Sequence, residues 1–182
     1  MTDQAPGAAA PEAGAETPSE APPEPPQVHG WPVVDSYGQR VVHVDREGYL
    51  QLMTALKEDG YDMCVDVCGV DYLAHMNRAV AAPVTPERFE VVANLVSVAT
   101  QERIRVRAQV PEDDPVIATL VPLWSGAEAS EREVYDMFGI IFEGHPDMSR
   151  ILMPEDWEGY PLRKDYAVGR IPVQFKEAPS PR

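Results

Sequence analysis

Two runs of apolar and β-branched residues, 89–99 and 104–110, limit the fold of this chain more than any other feature. Both have the length of strands, and only a short segment around Thr100, Gln101 and Glu102 separates them. Because a connection of this length suits a hairpin, the two runs predict neighbouring antiparallel strands.

Basic and apolar side chains alternate along the second of these strands. The alternating residues are Arg103, Ile104, Arg105, Val106, Arg107 and Ala108. Successive residues of a strand point to opposite faces, so one face of this strand is basic, in a chain whose formal charge is −15. Two interpretations are open: a solvated face that pairs with local carboxylates, or a docking surface for an acidic partner.

Upstream of these strands, the sequence predicts a hairpin, a helix and a further strand. Val33-Val34 and Val41-Val42 flank a turn-rich segment, residues 35–38, which is typical of a hairpin. Asp45 can cap a helix over residues 46–59 that is closed by Gly60. One face of that helix, which we expect to cover a sheet, carries Tyr49, Leu52, Met53 and Leu56.

Both cysteines of the chain, Cys64 and Cys68, fall in a run that predicts a strand over residues 64–72. Residues four apart on a strand share a face and lie about 13 Å apart, which is too far for a disulfide or for one metal ion. An iron–sulfur cluster usually needs four thiolates, and two cysteines cannot supply them. We therefore expect structural thiols. An irregular stretch, residues 73–87, follows the strand.

The second half of the chain predicts a short helix over residues 115–120, a loop over 122–126 and a second helix over 130–138. Ser130 and Glu133 form a capping-box pattern at the start of the second helix, and Gly139 suits its end. The buried face of this helix is expected to carry Val134, Met137 and Phe138. Within it, the spacing predicts an i,i+4 pair of Arg132 with Asp136, and a carboxylate of Glu131 that favours the helix N-terminus.

The two ends of the chain differ from its middle. Residues 1–28 are rich in Pro, Ala and Glu and contain no Lys or Arg, which predicts a disordered acidic tail. This tail either crosses a partner as a strap or only keeps the protein soluble. Residues 29–166 are expected to form the folded domain, and residues 167–182 an extended arm whose apolar side chains are buried by a partner.

Composition excludes several classes of protein. The net negative charge disfavours binding to nucleic acid and to anionic membrane surfaces. No apolar run approaches the roughly 20 residues of a membrane-spanning helix, and residues 1–27 show neither a secretory signal nor a basic transit peptide. We expect a cytoplasmic location. The predicted fold class is α+β: a mixed, largely antiparallel sheet with one or two helices on a face, and extended N- and C-terminal tails.

Acidic residues and one histidine in the second half raise the question of catalysis. The candidates for an acid–base or metal site are Glu131, Glu133, Asp136, His145, Asp147 and Asp165. A hydrolytic metal site more typically has a second histidine at close spacing, and that half of the sequence contains none. A nicotinamide fingerprint and a phosphate-binding loop are also missing. We therefore predict no catalytic, cofactor-binding or metal-binding residue.

The sequence resembles a known family in its second half. The run 131–140 is followed by Gly144-His145-Pro146-Asp147, by Arg150-Ile151-Leu152 and by the segment 159–166. This order resembles the signature of the C-type subunit of respiratory complex I, the 30 kDa subunit family of NADH:quinone oxidoreductase. The similarity covers roughly residues 31–166. Ser149 and Tyr160 depart from it, since relatives often have a basic residue at the first position and histidine at the second.

The resemblance implies a structural subunit without a cofactor, in the peripheral arm of the enzyme. It implies packing chiefly against the D-type subunit, which forms the quinone site together with the B-type subunit. Contacts with the B-type subunit and with other peripheral-arm subunits are also implied, on the cytoplasmic side of the bacterial inner membrane. NADH, FMN, iron–sulfur clusters and quinone would belong to the holoenzyme. Two alternatives stay open: the homologous subunit of a related membrane-bound hydrogenase or cofactor dehydrogenase, and a free acidic adaptor.

The same resemblance implies an interface formed by the signature residues. Arg163 and Lys164, on a turn expected to be exposed, are predicted to contact carboxylates of the partner. The signature and predicted interface residues are Glu131, Arg132, Glu133, Asp136, Phe138, Gly139, His145, Pro146, Asp147, Arg150, Leu162, Arg163, Lys164 and Asp165.

Overall fold

The computed structural model describes residues 26–167, which form a six-stranded sheet, a small two-stranded sheet and two helices. In the large sheet the strand order is β1-β2-β3-β6-β5-β4, and every pair is antiparallel except β3 with β6. The predicted α+β fold is confirmed. The elements are β1 (Gln27–Val28), β2 (Trp31–Ser36), β3 (Gln39–Asp45), α1 (Arg46–Glu58), β4 (Met63–Asp71), β5 (Phe89–Val96), β6 (Arg103–Val110), β7 (Val116–Ala118), α2 (Ala127–Phe138) and β8 (Ile141–Glu143).

Both predicted hairpins are present, and they are joined by a crossover. β2 pairs with β3, and β5 pairs with β6 over eight residue pairs. Between β3 and β6 the chain forms α1, β4 and β5, so β6 returns parallel to β3 in the centre of the sheet. A parallel pair requires such a long connection, which cannot be read from either strand alone.

Both helices pack on one face of the sheet, here called the helix-side face. α1 begins after Asp45, whose Oδ1 accepts a hydrogen bond of 2.7 Å from the N–H of Gly48, as predicted. The expected face of α1 is buried. It meets sheet residues that share one side by register, such as Val42, Ala93 and Val106. α2 covers the β4 end of the same face, where Val134, Met137 and Phe138 are buried.

The start of α2 differs from the prediction. The helix begins at Ala127, after Gly126, and Ser130 lies inside it, so the capping box of Ser130 with Glu133 is wrong. The extra N-terminal turn buries Ala127, which fixes the helix start through packing rather than through a cap. Its end is as expected: Gly139 adopts φ 72° and its N–H donates to the carbonyl of Tyr135.

The predicted helix over residues 115–120 is wrong. Residues Val116–Ala118 form the strand β7, which pairs in parallel with β8. Two of its three residues, Val116 and Ile117, are β-branched and favour a strand. Because the pairing partner lies more than 20 residues further along the chain, the local sequence does not reveal it.

The two cysteines lie on opposite faces of β4, contrary to the prediction that they share one. The register shifts between Cys64 and Asp66, which marks a bulge. Cys64 is therefore opposite Leu95 on the helix-side face, whereas Cys68 is opposite Val92 on the other. One extra residue in a strand reverses the side on which later residues point. Both thiols are free, and burial raises the pKa of Cys64 to about 11.

The ends of the chain lie largely outside the described residues. The acidic segment 1–25 and residues 168–182 of the C-terminal arm are not described, so the expectations for them stay predictions. Gln27–Val28, at the end of the predicted tail, forms β1 and pairs with β2, so regular structure starts before residue 29, where the folded domain was predicted to begin.

Gly69 on β4 allows α2 to approach the sheet closely. A Cβ atom at this position would lie 2.7 Å from Cδ2 of Phe138 and 3.0 Å from Cγ1 of Val134. We expect Gly69→Ala to push α2 away and to lower the free energy of unfolding by about 1–3 kcal/mol in urea denaturation. Gly126→Ala is the control, because a Cβ atom there would meet nothing within 4 Å. Equal stability of the Gly69→Ala variant and the wild type would contradict this packing.

Candidate functional site

Asp136 of α2 holds the loop that follows β8. Its side chain is fully buried and accepts hydrogen bonds from the N–H groups of Ile151, Leu152 and Met153, at 2.7–3.1 Å. Arg150 Nη1 pairs with the other carboxylate oxygen at 2.5 Å. Burial alone raises the pKa of Asp136, but these donors outweigh it and hold the pKa below its ordinary value. The carboxylate therefore acts as a fixed anionic anchor.

Glu131, five residues earlier on α2, ties the helix to β7. Its buried carboxyl group accepts from Thr119 Oγ1 at 2.5 Å and from the N–H of Leu120 at 2.7 Å. Burial raises the pKa of Glu131 above its ordinary value, although both hydrogen bonds oppose this. The predicted role of Glu131 at the helix N-terminus is wrong, because α2 starts earlier and the side chain points into the core.

Arg132 braces the same loop from the partly exposed side of α2. It donates to the carbonyl and hydroxyl oxygens of Ser149 and forms an ion pair of 3.2 Å with Glu128. The predicted pair with Asp136 is wrong, because Asp136 is occupied by Arg150. The helix partner of Arg132 lies four residues before it rather than four after it.

His145 and Asp147 close the turn after β8. The N–H of Asp147 donates to Nδ1 of His145, which leaves Nε2 to donate to the carbonyl of Glu128 at 3.1 Å. Asp147 in turn accepts from Ser149, and this hydrogen bond lowers the pKa of its carboxyl group. His145 is thus occupied in holding a turn.

Arg163, predicted to contact a partner, is turned towards its own chain. Its Nε donates to the carbonyl of Phe138 at 2.5 Å, and its guanidinium stacks 4.7 Å from the ring centroid of Tyr160. A Cβ atom on Gly139 would lie 2.4 Å from that ring, so glycine is needed there for space as well as for its positive φ. Lys164, by contrast, is exposed.

Sequence analysis did not identify Arg88, which links the signature segment to the sheet. This arginine is 3% exposed and contacts Asp71 at 3.0 Å, Asp165 at 2.8 Å and also Glu112. Asp71 also accepts from the N–H of Lys164, 93 positions away in the chain. No local pattern marks an arginine whose partners come from three separate segments.

Most charged side chains of the signature contact their own chain, although those of Asp147 and Asp165 are also exposed, at 62% and 51%. Asp136, Arg150, Glu131 and Arg163 contact their own chain, whereas Glu133 is exposed. Three apolar side chains of the segment are also turned outward: Ile151 is 42% exposed, Leu152 54% and Leu162 51%. The N–H of Leu152 bonds to Asp136 and that of Leu162 to the carbonyl of Met137, so both leucines are anchored at consecutive residues of α2.

Between residues 26 and 167, no group of three or more His, Cys, Asp or Glu side chains could hold a metal ion. Over the same residues, no helix has the length and apolar character needed to cross a membrane. The arrangement can fix a loop and present a surface to another protein.

The fold and the site define an α+β domain with an internally braced surface segment and, among residues 26–167, no metal-binding group. The family model for the 30 Kd subunit of respiratory-chain NADH dehydrogenase matches residues 42–171, and the chain belongs to this family. NADH-quinone oxidoreductase subunit 5 of Thermus thermophilus is 44% identical over 154 residues, which cover 81% of this chain and 72% of that relative.

Two solved structures have folds similar to that of this chain. A trypsin-resistant fragment, residues 1–134, of Nqo5 is 41% identical with a TM-score of 0.57, and covers 65% of this chain and 89% of the fragment. A chain of the membrane-bound sulfane sulfur reductase, an archaeal respiratory membrane complex, has a TM-score of 0.60 at 22% identity, over 79% of this chain and 85% of the other. This second likeness shows the fold alone. The resemblance found in the sequence is confirmed.

The two buried carboxyl groups of α2 should respond differently to loss of charge. We expect Asp136→Asn to lower the free energy of unfolding by roughly 3 kcal/mol, because it leaves Arg150 and three N–H donors without an anion. Glu131→Gln, the matched control, should cost under about 1 kcal/mol, because burial already disfavours the charge of Glu131. Urea denaturation at pH 7 compares them, and equal losses would contradict this assignment.

The pKa of Asp136 also predicts how the stability of the protein depends on pH. The folded pKa of Asp136 lies below its unfolded value of about 4, so its contribution is present above that pH and is lost as pH falls through the folded pKa. Between about pH 5 and about pH 2 we expect the wild type to lose more stability than Asp136→Asn. Parallel curves for the two proteins would show that Asp136 is not a stabilising anion.

Proposed function

We propose that this chain is a structural subunit, without redox chemistry of its own, of the peripheral arm of a proton-translocating NADH:quinone oxidoreductase. In this proposal it braces the quinone-reducing module formed by the B-type and D-type subunits, with the D-type subunit as its chief partner. One observation carries it: the signature segment uses most of its charges to fix its own backbone and leaves three aliphatic side chains exposed.

A surface loop needs such bracing only if its shape matters. Asp136 immobilises three consecutive N–H groups, and Arg150 also donates to the carbonyl of Gly159, which joins two parts of the segment. The loop is therefore ordered before any partner arrives, and the entropy of ordering it is not lost on binding. Rigid, preformed surfaces of this kind suit stable assembly between subunits.

The exposed side chains indicate what the partner contributes. Ile151, Leu152 and Leu162 are aliphatic, and Lys164 adds a positive charge at the end of the group. Exposed apolar groups near polar ones are typical of interface cores and their rims. We infer that this signature surface, defined by these four residues, receives an apolar patch of the D-type subunit that has a carboxylate near its edge.

The cofactors of the reaction are assigned to other subunits in this proposal. The whole chain has two cysteines, and the bulge in β4 directs them to opposite faces of the sheet. Iron–sulfur clusters, FMN, NADH and quinone would accordingly be bound elsewhere in the holoenzyme. We further propose a location at the cytoplasmic side of the bacterial inner membrane, where attachment depends on the complex.

The direct test is purification of the tagged chain from its native membranes, with mass spectrometry of the partners and an NADH:quinone activity assay. We expect recovery of cluster- and flavin-bearing subunits together with activity. Hydrogenase subunits in their place would assign the chain to a related membrane-bound complex. A lone chain would overturn the proposal in favour of an acidic adaptor.

Variants of the signature surface make the test specific. Leu152→Asp combined with Leu162→Asp should reduce recovery of the D-type subunit by about tenfold or more, because a buried aliphatic anchor contributes at least about 1.4 kcal/mol to binding. Leu50→Asp is the control, since Leu50 is 43% exposed on α1. All three substitutions replace exposed residues, so thermal unfolding should stay close to that of the wild type. Undiminished recovery with the double variant would exclude this surface.

A further inference from the structure

The face of the sheet opposite the helices, here called the outer face, has two different halves. In one half, the irregular segment after β4 covers the strands. Arg78 stacks 3.6 Å from the ring centroid of Tyr72, and its Nη2 donates to Gln109 at 2.6 Å. Beneath it Glu90, which is fully buried, accepts from Arg107 at 2.6 Å. The first interpretation of the basic stripe, pairing with local carboxylates, therefore holds for Arg107.

The other half of the outer face, here called the uncovered half, is more open, although residues 79–81 border its first depression and Val41 is buried. By register, Val34, Val41, Arg105, Asn94 and Asp66 lie side by side across β2, β3, β6, β5 and β4. Three depressions of about 680, 270 and 320 Å³ adjoin here. Arg105 lines the first and second, and Arg103 lines the second and third. Together they form an open groove with two arginines along it.

The charges of these two arginines are only partly balanced within the described part of the chain, because Asp66 lines the second depression with them but forms no ion pair with either. Arg105 donates to the amide oxygen of Asn94 at 2.9 Å, and neither Arg103 nor Arg105 has a carboxylate partner among residues 26–167. Arg163 also lacks a carboxylate, but it is held by the carbonyl of Phe138. In a chain with a net charge of −15, two such arginines on one strand are an unusual charge arrangement. The arginines with a carboxylate oxygen within 4.0 Å are Arg40, Arg46, Arg78, Arg88, Arg107, Arg132 and Arg150.

Apolar side chains line the same groove. Val65, which is 55% exposed, lies in the second depression, and Val98, which is 57% exposed, lies in the third. Val34, 41% exposed, lies in the first. The strands beneath include the parallel pair β3 and β6, and parallel pairs are normally covered on both faces. The groove therefore fits an occupant that brings both carboxylates and apolar side chains.

The two ends of this chain do not have that chemistry. Residues 1–25 contain five carboxylates, but their only apolar side chain larger than alanine or proline is Met1. Residues 168–182 contain apolar side chains, but also Arg170, Lys176 and Arg182 against a single acid, Glu177. The first segment cannot fill the apolar part of the groove, and the second has the wrong charge for its arginines.

We propose that the uncovered half of the outer face is a second docking surface, which binds a segment of another subunit that carries carboxylates interleaved with apolar side chains. Arg103 and Arg105 pair with the carboxylates, and the exposed valines pack against the apolar residues. The proposal rests on the proposed function in that the partner belongs to the same complex. This surface and the signature surface lie on different parts of the domain, so the subunit can contact two partners at once.

Site-specific photo-cross-linking in the purified complex tests the occupant. Val98 is replaced by p-benzoylphenylalanine in the full tagged chain, and the cross-linked peptide is sequenced by mass spectrometry. We expect a peptide of another subunit that contains Asp or Glu beside apolar residues. A cross-link to residues 1–25, to residues 168–182 or to a second copy of this chain would overturn the proposal, and so would the absence of any protein cross-link.

Charge reversal tests the arginines. Arg103→Glu combined with Arg105→Glu should lower recovery of the cross-linked subunit by about tenfold or more, whereas lysine at both positions should retain most of it. Circular dichroism confirms that each variant is folded.

The outcomes separate this proposal from the proposed function. If the wild-type chain recovers no redox subunits, the proposed function fails. If the wild type recovers them and the double-glutamate variant recovers every subunit equally well, the second docking surface is wrong while the function stands. A partner lost from the double-glutamate variant but kept by Leu152→Asp with Leu162→Asp would support two independent surfaces.

Discussion

The anchoring of a loop by one buried carboxylate is the interaction on which the functional half of this molecule depends. Asp136 gathers three consecutive backbone N–H groups and a guanidinium at one end of α2. A buried anion is costly unless it is paired and hydrogen-bonded. Here the loop that follows β8 supplies both the ion pair and the hydrogen bonds. Glu131, on the same helix, accepts fewer hydrogen bonds than Asp136 does, and burial raises its pKa instead. Helix α2 thus holds the loop after β8 through the charged carboxylate of Asp136. It holds the residues just after β7 through Glu131, whose charge is disfavoured by burial.

These internal contacts of the charged side chains determine which residues of the signature segment are left exposed. The residues that make the family recognisable are mostly charged, yet their charges are used inside the domain. The signature therefore describes how the surface is built, and the surface itself is formed by Ile151, Leu152 and Leu162. Arg88 extends the same logic to the sheet, since it binds carboxylates from β4, from the loop after β6 and from the signature segment. These contacts make the signature surface rigid, as the proposed role of a brace requires.

On the outer face of the sheet, the arginines of β6 differ in how their charges are paired. Where Arg107, Glu90 and Arg78 are covered, their charges compensate one another, and the segment after β4 forms a second layer over half of the sheet. Where Arg103 and Arg105 lie, the described chain places Asp66 nearby but no carboxylate within 4.0 Å, and it gives less cover. The same alternating pattern along β6 therefore has two outcomes within one strand, and the difference lies in what the rest of the chain places above each arginine.

The sequence by itself determined the elements whose signals are local: the two hairpins, α1 with its aspartate cap and buried face, the glycine end of α2 and the α+β class. The family, too, could be read from the order of residues between positions 131 and 166. Only the tertiary structure decided the start of α2, the strand β7, the faces of Cys64 and Cys68 and the partners of Arg132, Arg163 and Arg88. Most of these depend on atoms far away in the chain, such as a paired strand or a carboxylate on another segment, and the cysteine faces depend on a bulge. Periodicity and capping record the interactions of a residue with its near neighbours, whereas the free energy of burying a charge depends on whichever groups the fold brings beside it.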